Sequence, residues 1–218
     1  MPPPDGTTTH EHGRGFDMTD TLVLNKDAQD LLFRSARTAN TFTDEPVTEE
    51  QLRTIYDLVK YGPTAMNNQP LRVTAVRSPE ARERLVKHMA GSNAPKTSTA
   101  PLTLVLSADS AFHEHFPKTF PVVPEARENF SGMPVEARES MALQNALLQV
   151  AYLIVGVRAA GLAAGPMTGF DAEGVRKEFF GEDSTQTPLV VMNIGKPGPD
   201  AWFDRLPRLD YEEAVTEL

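Results

Sequence analysis

The stretch VEARESMALQNALLQVAYLIVGVRAAGL, residues 135–162, contains the longest apolar run of the chain and decides its fold. It is long enough and apolar enough on most of its circumference to be a helix buried inside a domain. The apolar part, ALLQVAYLIVGV at 146–157, is too short to span a membrane and contains Gln149. We therefore predict a central core helix around which the other elements pack.

Strand-like runs alternate with helical patterns on both sides of this helix. Strands are predicted at LRVTAVR (71–77), PLTLVLSAD (101–109) and TPLVVMNIG (187–195), with a short strand and turn at LAAGPMTGFD (162–171). One helix begins near residue 27, and another follows the capping box of Thr48 and Gln51 and ends at Tyr61. Ser78 with Pro79 opens a short helix to about Met89, and Asp171 caps a further one. Without repeats or a later linker, the pattern predicts one layered α/β or α+β domain over 27–218.

Both ends of the chain are polar and rich in proline. The first residues, MPPPDGTTTHEHGRGFD, lack the cationic-then-apolar order of a signal peptide. We expect 1–26 to be a disordered tail, and Met18 could be the native start. The stretch PGPDAWFDRLPRLDYEEA (197–214) is predicted to be an extended C-terminal arm, and such an arm often needs a partner surface.

Composition excludes several classes of function. The 218 residues are 40% hydrophobic and 23% charged, as in ordinary soluble globular proteins. A net charge of -9 argues against nucleic acid or an anionic membrane as the main partner, because their phosphates would be repelled. The absence of cysteine excludes disulfides, thiolate metal sites and a cysteine nucleophile, and makes a reducing cytoplasm the simplest setting.

The common catalytic motifs are missing from the sequence. It contains no nucleotide P-loop, no GxGxxG, no GxSxG and no HExxH. Two His-x-His pairs, His10 with His12 and His113 with His115, could each share a metal on a strand. The first pair lies in the tail and the second lacks obvious further ligands, so we predict no metal site.

Polar groups beside Gly and Pro at the ends of elements remain as candidates for a small-molecule site. RTAN (37–40) places a guanidinium, a hydroxyl and an amide within four residues, a combination that can bind phosphate. Asn93 and Lys96 stand three apart just before a strand. Gly169 lies where a backbone N–H could approach a flat ligand closely. The segment 112–132 is an irregular, Pro-rich stretch with no readable code.

Each candidate also has a structural alternative. Asn67, Asn68 and Gln69, within YGPTAMNNQP (61–70), could satisfy only the carbonyls of their own turn. Arg37 could pair with a surface acid, and the other charged candidates could be solvated. No single motif therefore decides the function.

The order of the motifs is more specific. RTANTF, YGPTAMNNQP, NAPKTSTAP, GPMTGFD and RLPRL together resemble the nitroreductase family of FMN-dependent NAD(P)H oxidoreductases, from about residue 27 to the C-terminus. The details are most similar to its malonic semialdehyde reductase branch, which acts in pyrimidine degradation. The resemblance implies an α+β fold with three α/β/α layers and a central mixed sheet. It also implies an intertwined homodimer in which C-terminal arms embrace the other subunit and FMN lies at the interface.

The resemblance assigns FMN-binding roles by position. The phosphate and ribityl chain would be met by Arg37, Thr38, Asn40 and, from the arm, Arg208. The flavin would be lined from the partner side by Thr64, Ala65 and Asn67. Its pyrimidine edge would face Asn93 and Lys96, and its N5 would lie near Thr168 and Gly169.

The activity implied by the resemblance is ping-pong hydride transfer. NADH or NADPH would reduce FMN, and a small aldehyde such as malonic semialdehyde would take the hydride from N5 and give 3-hydroxypropanoate. No catalytic side chain is assigned, because the flavin carries the hydride. A broad nitroreductase or quinone reductase is one alternative, and a flavin-binding protein without turnover is another. The sequence does not distinguish NADH from NADPH.

Two departures from the family pattern bear on affinity and chemistry. Many members have RRS-x-R at the phosphate end, whereas this chain has one cation fewer there, so phosphate binding depends more on Arg208. Thr168 stands where many members have a carboxylate, which leaves a side-chain contact to N5 in question.

Overall fold

The computed structural model describes residues 22–218, so most of the predicted tail 1–26, including His10, His12 and Met18, lies outside the described residues. The α-helices are α1 (Lys26–Gln29), α2 (Glu49–Val59), α3 (Pro79–Val86), α4 (Asn93–Thr99), α5 (Phe116–Thr119), α6 (Ala126–Ser131), α7 (Val135–Ala159), α8 (Ala172–Phe179) and α9 (Tyr211–Ala214). The strands are β1 (Leu71–Val76), β2 (Leu102–Asp109), β3 (Ala163–Met167) and β4 (Gln186–Gly195). A π-helical turn, Asp30–Arg34, continues α1, and 3-10 turns span Ala65–Asn67 and Phe112–His115.

The four strands form one sheet in the order β1-β2-β4-β3. β2 is buried along its whole length. Its Leu106 lies opposite Val73 of β1, and its Val105 lies opposite Val191 of β4. Helices and sheet together confirm the predicted α+β fold. The implied mixed sheet is corrected, because every pairing among the described strands is antiparallel. β2 and β3 run in the same direction but are separated by β4, so they do not pair, and a parallel strand could add only at the free edges of β1 and β3.

Helix α7 is the predicted core helix. On its buried side, Val150, Leu153 and Val157 pack in one cluster with side chains of the sheet and α2, and Ala146 packs in another with Phe112 and Phe116. By length and composition alone α7 could cross a membrane, but it packs on the sheet as a core helix does. At Gly156 a Cβ would lie 2.2 Å from a methyl group of α2, so the two helices approach each other closely.

The predicted helix starts are confirmed at atomic detail. In the capping box of α2, the Gln51 N–H donates to Thr48 Oγ1 at 3.1 Å and the Thr48 N–H donates to Gln51 Oε1 at 2.8 Å. Ser78 Oγ caps α3, and Asp171 Oδ1 accepts from the Gly174 N–H at 3.0 Å to cap α8. The predicted ends are less accurate, since α2 stops at Val59 and α3 at Val86.

The structure also contains helices that the sequence pattern did not indicate. α4 has Pro95 in its first turn, and α5 has Pro117 at its second residue, where a missing N–H breaks no helical hydrogen bond. Between 112 and 132, where we expected irregular structure, short helices are held together by aromatic packing. The ring centroids of Phe112, Phe116 and Phe130 lie 5.1 to 5.8 Å apart.

Candidate functional site

The turn after α1 is joined to the C-terminal arm by direct hydrogen bonds. The Arg37 guanidinium donates to the Phe203 carbonyl at 3.1 Å, and the Asn40 N–H donates to the Ala201 carbonyl at 2.9 Å. The turn and the arm enclose a cavity of about 220 Å³, whose walls include the predicted residues Arg37, Thr38, Asn40 and Arg208. The structure therefore brings together the predicted phosphate end of the site.

This cavity, which we call the arginine cavity, carries a concentration of positive charge. Arg37, Arg205 and Arg208 line it, and Asp204 is its one carboxylate. Within residues 22–218 none of the three guanidinium groups forms an ion pair. Arg205 donates instead to the backbone carbonyls of Arg34 and Ala36, the latter at 3.2 Å. Cations without carboxylate partners suit an anionic group such as a phosphate.

Arg205 was missed by the sequence reasoning, which took only the second arginine of RLPRL. Its signal was available, because Arg205 and Arg208 flank the same Leu-Pro pair. The structure shows that both reach the arginine cavity. The arm thus contributes two guanidinium groups to the cavity, beside that of Arg37.

A second group of predicted residues continues from this cavity. Lys96 Nζ donates to Asn40 Oδ1 at 2.8 Å, which links α4 to the turn after α1. Asn93 lies one helical turn before Lys96 and donates through Nδ2 to the Gly169 carbonyl at 3.0 Å. The predicted residues at 37–40, on α4 and at 168–169 therefore form one continuous row.

The turn at Gly169 has two features that matter for a ligand. A Cβ at this position would lie 2.8 Å from Asn93 Nδ2, so glycine is required for the contact with α4. Among the described residues the Gly169 N–H donates no hydrogen bond, and Gly169 and Thr168 are both exposed. An exposed, unused N–H is available to a flat ligand lying along the row.

The predicted residues Thr64, Ala65 and Asn67 lie in a different place. Thr64 and Asn67 line a separate cavity of about 810 Å³ between α2, β1 and the 112–119 segment. The Ala65 N–H donates to Asn145 Oδ1 on α7 at 2.7 Å, which holds the turn against the core helix. A single chain thus carries two groups of predicted site residues, one along the row and one in this second cavity.

The turn in the second cavity has a strained backbone. Met66, Asn67 and Gln69 have φ values of 53°, 50° and 42°, a region that non-glycine residues seldom adopt. The Asn67 amide donates to the Thr119 carbonyl at 2.7 Å, and its Oδ1 accepts from Gln69 Nε2 at 2.9 Å. Asn67 therefore ties its turn to the 112–119 segment, which differs from the alternative that it satisfies only carbonyls of its own turn, and a cofactor contact would have to use its second amide N–H or its remaining acceptor capacity.

The histidines of the second His-x-His pair face different surroundings. His113 is buried beside Arg138, and burial together with that positive charge lowers the pKa of His113. His115 is exposed and lines the second cavity. Within residues 22–218 there is no group of three or more His, Asp or Glu side chains placed to hold a metal ion.

Comparisons with known proteins identify the family of the chain. The model of the Nitroreductase family matches residues 33–196. A Streptomyces coelicolor protein named NADH dehydrogenase/NAD(P)H nitroreductase is 68% identical over 198 residues, which cover 90% of this chain and 99% of the relative.

Two solved structures share the fold. A nitroreductase of Exiguobacterium sibiricum in complex with FMN superposes with a TM-score of 0.79 and 18% identity, covering 89% of this chain and 98% of the other. An NAD(P)H:FMN oxidoreductase of Staphylococcus epidermidis gives a TM-score of 0.77 at 20% identity, covering 90% and 98%. The family model extends over most of the chain and the Streptomyces relative over nearly its whole length. This chain belongs to the nitroreductase family.

Proposed function

We propose that this chain is an FMN-dependent NAD(P)H oxidoreductase that works as a homodimer. The observation that carries the proposal is the continuous row from the arginine cavity, through Asn40, Lys96 and Asn93, to the unused N–H of Gly169. The row offers cations at one end and neutral donors at the other. This order of donors matches a molecule with a phosphate at one end and a polar ring at the other.

The residues present fit FMN on their donor chemistry. Arg37, Arg205 and Arg208 would hold the phosphate, because none of them has a carboxylate partner within residues 22–218. The hydroxyl of Thr38 and the amide of Asn40 would meet the ribityl chain. Fixing the phosphate sets the register of the whole cofactor along the row.

The ring end of the row would be set by α4 and the Gly169 turn. Bound FMN would supply two-electron chemistry, accepting a hydride from NADH or NADPH and giving it to an acceptor. Lys96 would place positive charge at the pyrimidine edge, where the ring becomes more electron-rich on reduction. The Gly169 N–H would orient the reacting edge without titrating. The protein then needs no acid–base triad of its own.

The homodimer is supported by apolar surface that one chain leaves uncovered. Phe203, Leu206 and Leu209 of the arm are 71%, 73% and 70% exposed. The side of α7 that faces away from the core exposes Leu147 and Leu148 as well. A second copy would cover these side chains, and its Thr64–Asn67 turn would then complete the flavin site from the partner side.

For the acceptor we propose a small aldehyde, malonic semialdehyde, on the basis of the sequence motifs shared with that branch of the family. The net reaction adds a hydride to the carbonyl carbon and a proton to its oxygen, giving 3-hydroxypropanoate while NAD(P)H becomes NAD(P)⁺. The names of the relatives favour a nitroaromatic acceptor as the second candidate. We place the reaction in the cytoplasm, where NAD(P)H and reduced conditions occur together.

The test uses purified protein and two acceptors. The preparation is expected to be yellow, to lose its visible absorbance when NADH or NADPH is added without oxygen, and to recover it on addition of an acceptor. Faster NADPH oxidation with malonic semialdehyde than with a nitrofuran would support the aldehyde, and the reverse order would support the nitroaromatic. Bound flavin that is not bleached by either dinucleotide would favour a flavin-binding protein without turnover.

A further inference from the structure

We propose that the physiological acceptor carries a negative charge and that Lys118, beside His115, selects it. The proposal rests on the proposed function, because it concerns the acceptor that would approach the flavin. It adds a residue that neither the sequence motifs nor the names of the relatives assign, and malonic semialdehyde, the acceptor proposed above, has the carboxylate that this residue would bind. The acceptor would enter the second cavity, the one of about 810 Å³ lined by Thr64 and Asn67.

The 112–119 segment forms one wall of this second cavity and is joined to the predicted flavin wall. The Asn67 amide donates to the Thr119 carbonyl at 2.7 Å, so the two walls are fixed relative to each other. His115, Lys118 and Thr119 line the cavity from this side, and Thr64 lines it from the other. A charged group on the 112–119 segment is therefore held next to the predicted wall of the flavin.

The 112–119 segment is a firm support for such a charge. Phe112 and Phe116 are 0% and 1% exposed, and the centroids of their rings lie 5.8 Å apart. Lys118 and His115 lie on the same short helical segment but are exposed to the cavity and solvent. Aromatic packing on one side of the segment therefore fixes the backbone that presents Lys118 and His115 on the other side.

The charges around the second cavity have one sign. Lys60, Arg72 and Lys118 line it, and no aspartate or glutamate of the described part of the chain does. Lys60 is paired with Asp57 at 2.7 Å, and Arg72 is paired with a carboxylate of β2 at 2.9 Å. Lys118 has no ion pair within residues 22–218. In a chain of net charge -9, a cavity with an unpaired ammonium and no carboxylate is selective for anions.

The amount of free charge indicates the size of the anion. A single unpaired ammonium matches one carboxylate better than the several phosphates of a dinucleotide. A small oxo acid would satisfy Lys118 with its carboxylate while its carbonyl carbon points towards the flavin wall. The inferred substrate class is thus an acceptor with a carboxylate at one end and the reducible group at the other.

The test compares two acceptors of equal size that differ in charge. 4-Nitrobenzoate and 4-nitrobenzamide would be used as probes with the FMN-loaded enzyme, and initial rates of NADPH oxidation would give kcat/KM for each. The wild-type enzyme is expected to prefer the carboxylate. Lys118→Gln should lower kcat/KM for 4-nitrobenzoate by about five-fold, the upper range for an exposed ion pair, and leave the amide unchanged.

Two controls separate this effect from a general loss of charge. Lys177→Gln removes an exposed lysine of α8 that lines none of the described cavities, and it should leave the preference intact. Added salt should reduce the preference of the wild-type enzyme and should have little effect on Lys118→Gln. Lys118→Glu should reverse the preference, since a carboxylate would then face the anionic probe.

Three results would overturn the inference, and each is distinct. Equal kcat/KM for both probes in the wild-type enzyme would show that the enzyme does not discriminate acceptors by their charge. A Lys118→Gln variant with a raised KM for NADPH and equal losses for both probes would assign Lys118 to the dinucleotide. Absence of bound flavin, or bound flavin that NADPH does not reduce, would refute the proposed function itself, and the inference would fall with it.

Discussion

Replacing Lys96 by glutamine removes one positive charge from the middle of the row that we assign to FMN. Lys96 is half-buried on α4, and its Nζ is held 2.8 Å from Asn40 Oδ1. Glutamine keeps a hydrogen-bond donor of similar reach, so the contact with Asn40 can persist. The change therefore isolates the charge from the packing.

The expected magnitude follows from the position of this charge. A hydrogen bond to a charged group contributes about 1.5–3 kcal/mol, and partial exposure of Lys96 places its effect near the lower limit. For a two-electron couple about 1.4 kcal/mol corresponds to about 30 mV. We predict that Lys96→Gln lowers the midpoint potential of bound FMN by about 30 mV, because the electron-rich ring loses a stabilising cation.

The assay is an anaerobic reductive titration of the FMN-loaded protein against a reference dye, with the bound flavin followed by its visible absorbance. Lys96→Arg is the matched control and should keep most of the wild-type potential, since it restores the charge. An unchanged potential in Lys96→Gln, with flavin still bound, would refute the placement of Lys96 at the pyrimidine edge. Loss of potential in Lys96→Arg equal to that in Lys96→Gln would assign the effect to geometry instead of charge.

Three further predictions concern the cavity, the core and pH. Arg205→Ala should weaken FMN binding at least about ten-fold, measured by equilibrium dialysis, because a charge-assisted phosphate contact is lost; unchanged affinity would place Arg205 outside the phosphate site. Gly156→Ala should lower the free energy of unfolding by about 1–3 kcal/mol in denaturant unfolding, because the new Cβ would lie 2.2 Å from a Val59 methyl group. Gly132→Ala is the control: its new Cβ would have no neighbour closer than 3.6 Å, so the free energy of unfolding should change little. Burial lowers the pKa of His113, so this side chain binds a proton more readily in the unfolded chain than in the folded one. The free energy of unfolding should therefore fall as the pH decreases from about 7 to 5. A His113→Gln variant whose stability falls equally steeply over this pH range would contradict this cause.

Local signals predicted much of the fold correctly. The capping box of Thr48 and Gln51, the cap at Asp171 and the long apolar run of α7 each depend on neighbours a few residues away. Each of these elements is determined by residues close together in the sequence, so it can be predicted from a short segment. Helix α4 was missed because Asn93–Thr99 is rich in Ser, Thr and Pro, whose low helix propensity is overridden by the contacts of α4 with Asn40 and Gly169.

The candidate site was predictable in its residues but not in its contacts. Arg37, Lys96 and Gly169 stood out by residue type and position, while the bond from Lys96 to Asn40 joins residues 56 apart in the chain and has no local signature. Arg205 was overlooked because the resemblance drew attention to its neighbour Arg208. The direction of strand pairing could not be predicted from the sequence either, because alternating strands and helices are compatible with both antiparallel and mixed sheets.

The central claim is that two copies of this chain hold FMN between them through the row and the partner's Thr64–Asn67 turn. Sedimentation velocity of the purified protein, recorded at a protein wavelength and at the visible flavin band, tests it directly. We predict one boundary at twice the mass of the chain, with the flavin moving in that boundary at one FMN per chain. Flavin-free protein after incubation with excess FMN, or flavin moving with a single chain, would contradict it.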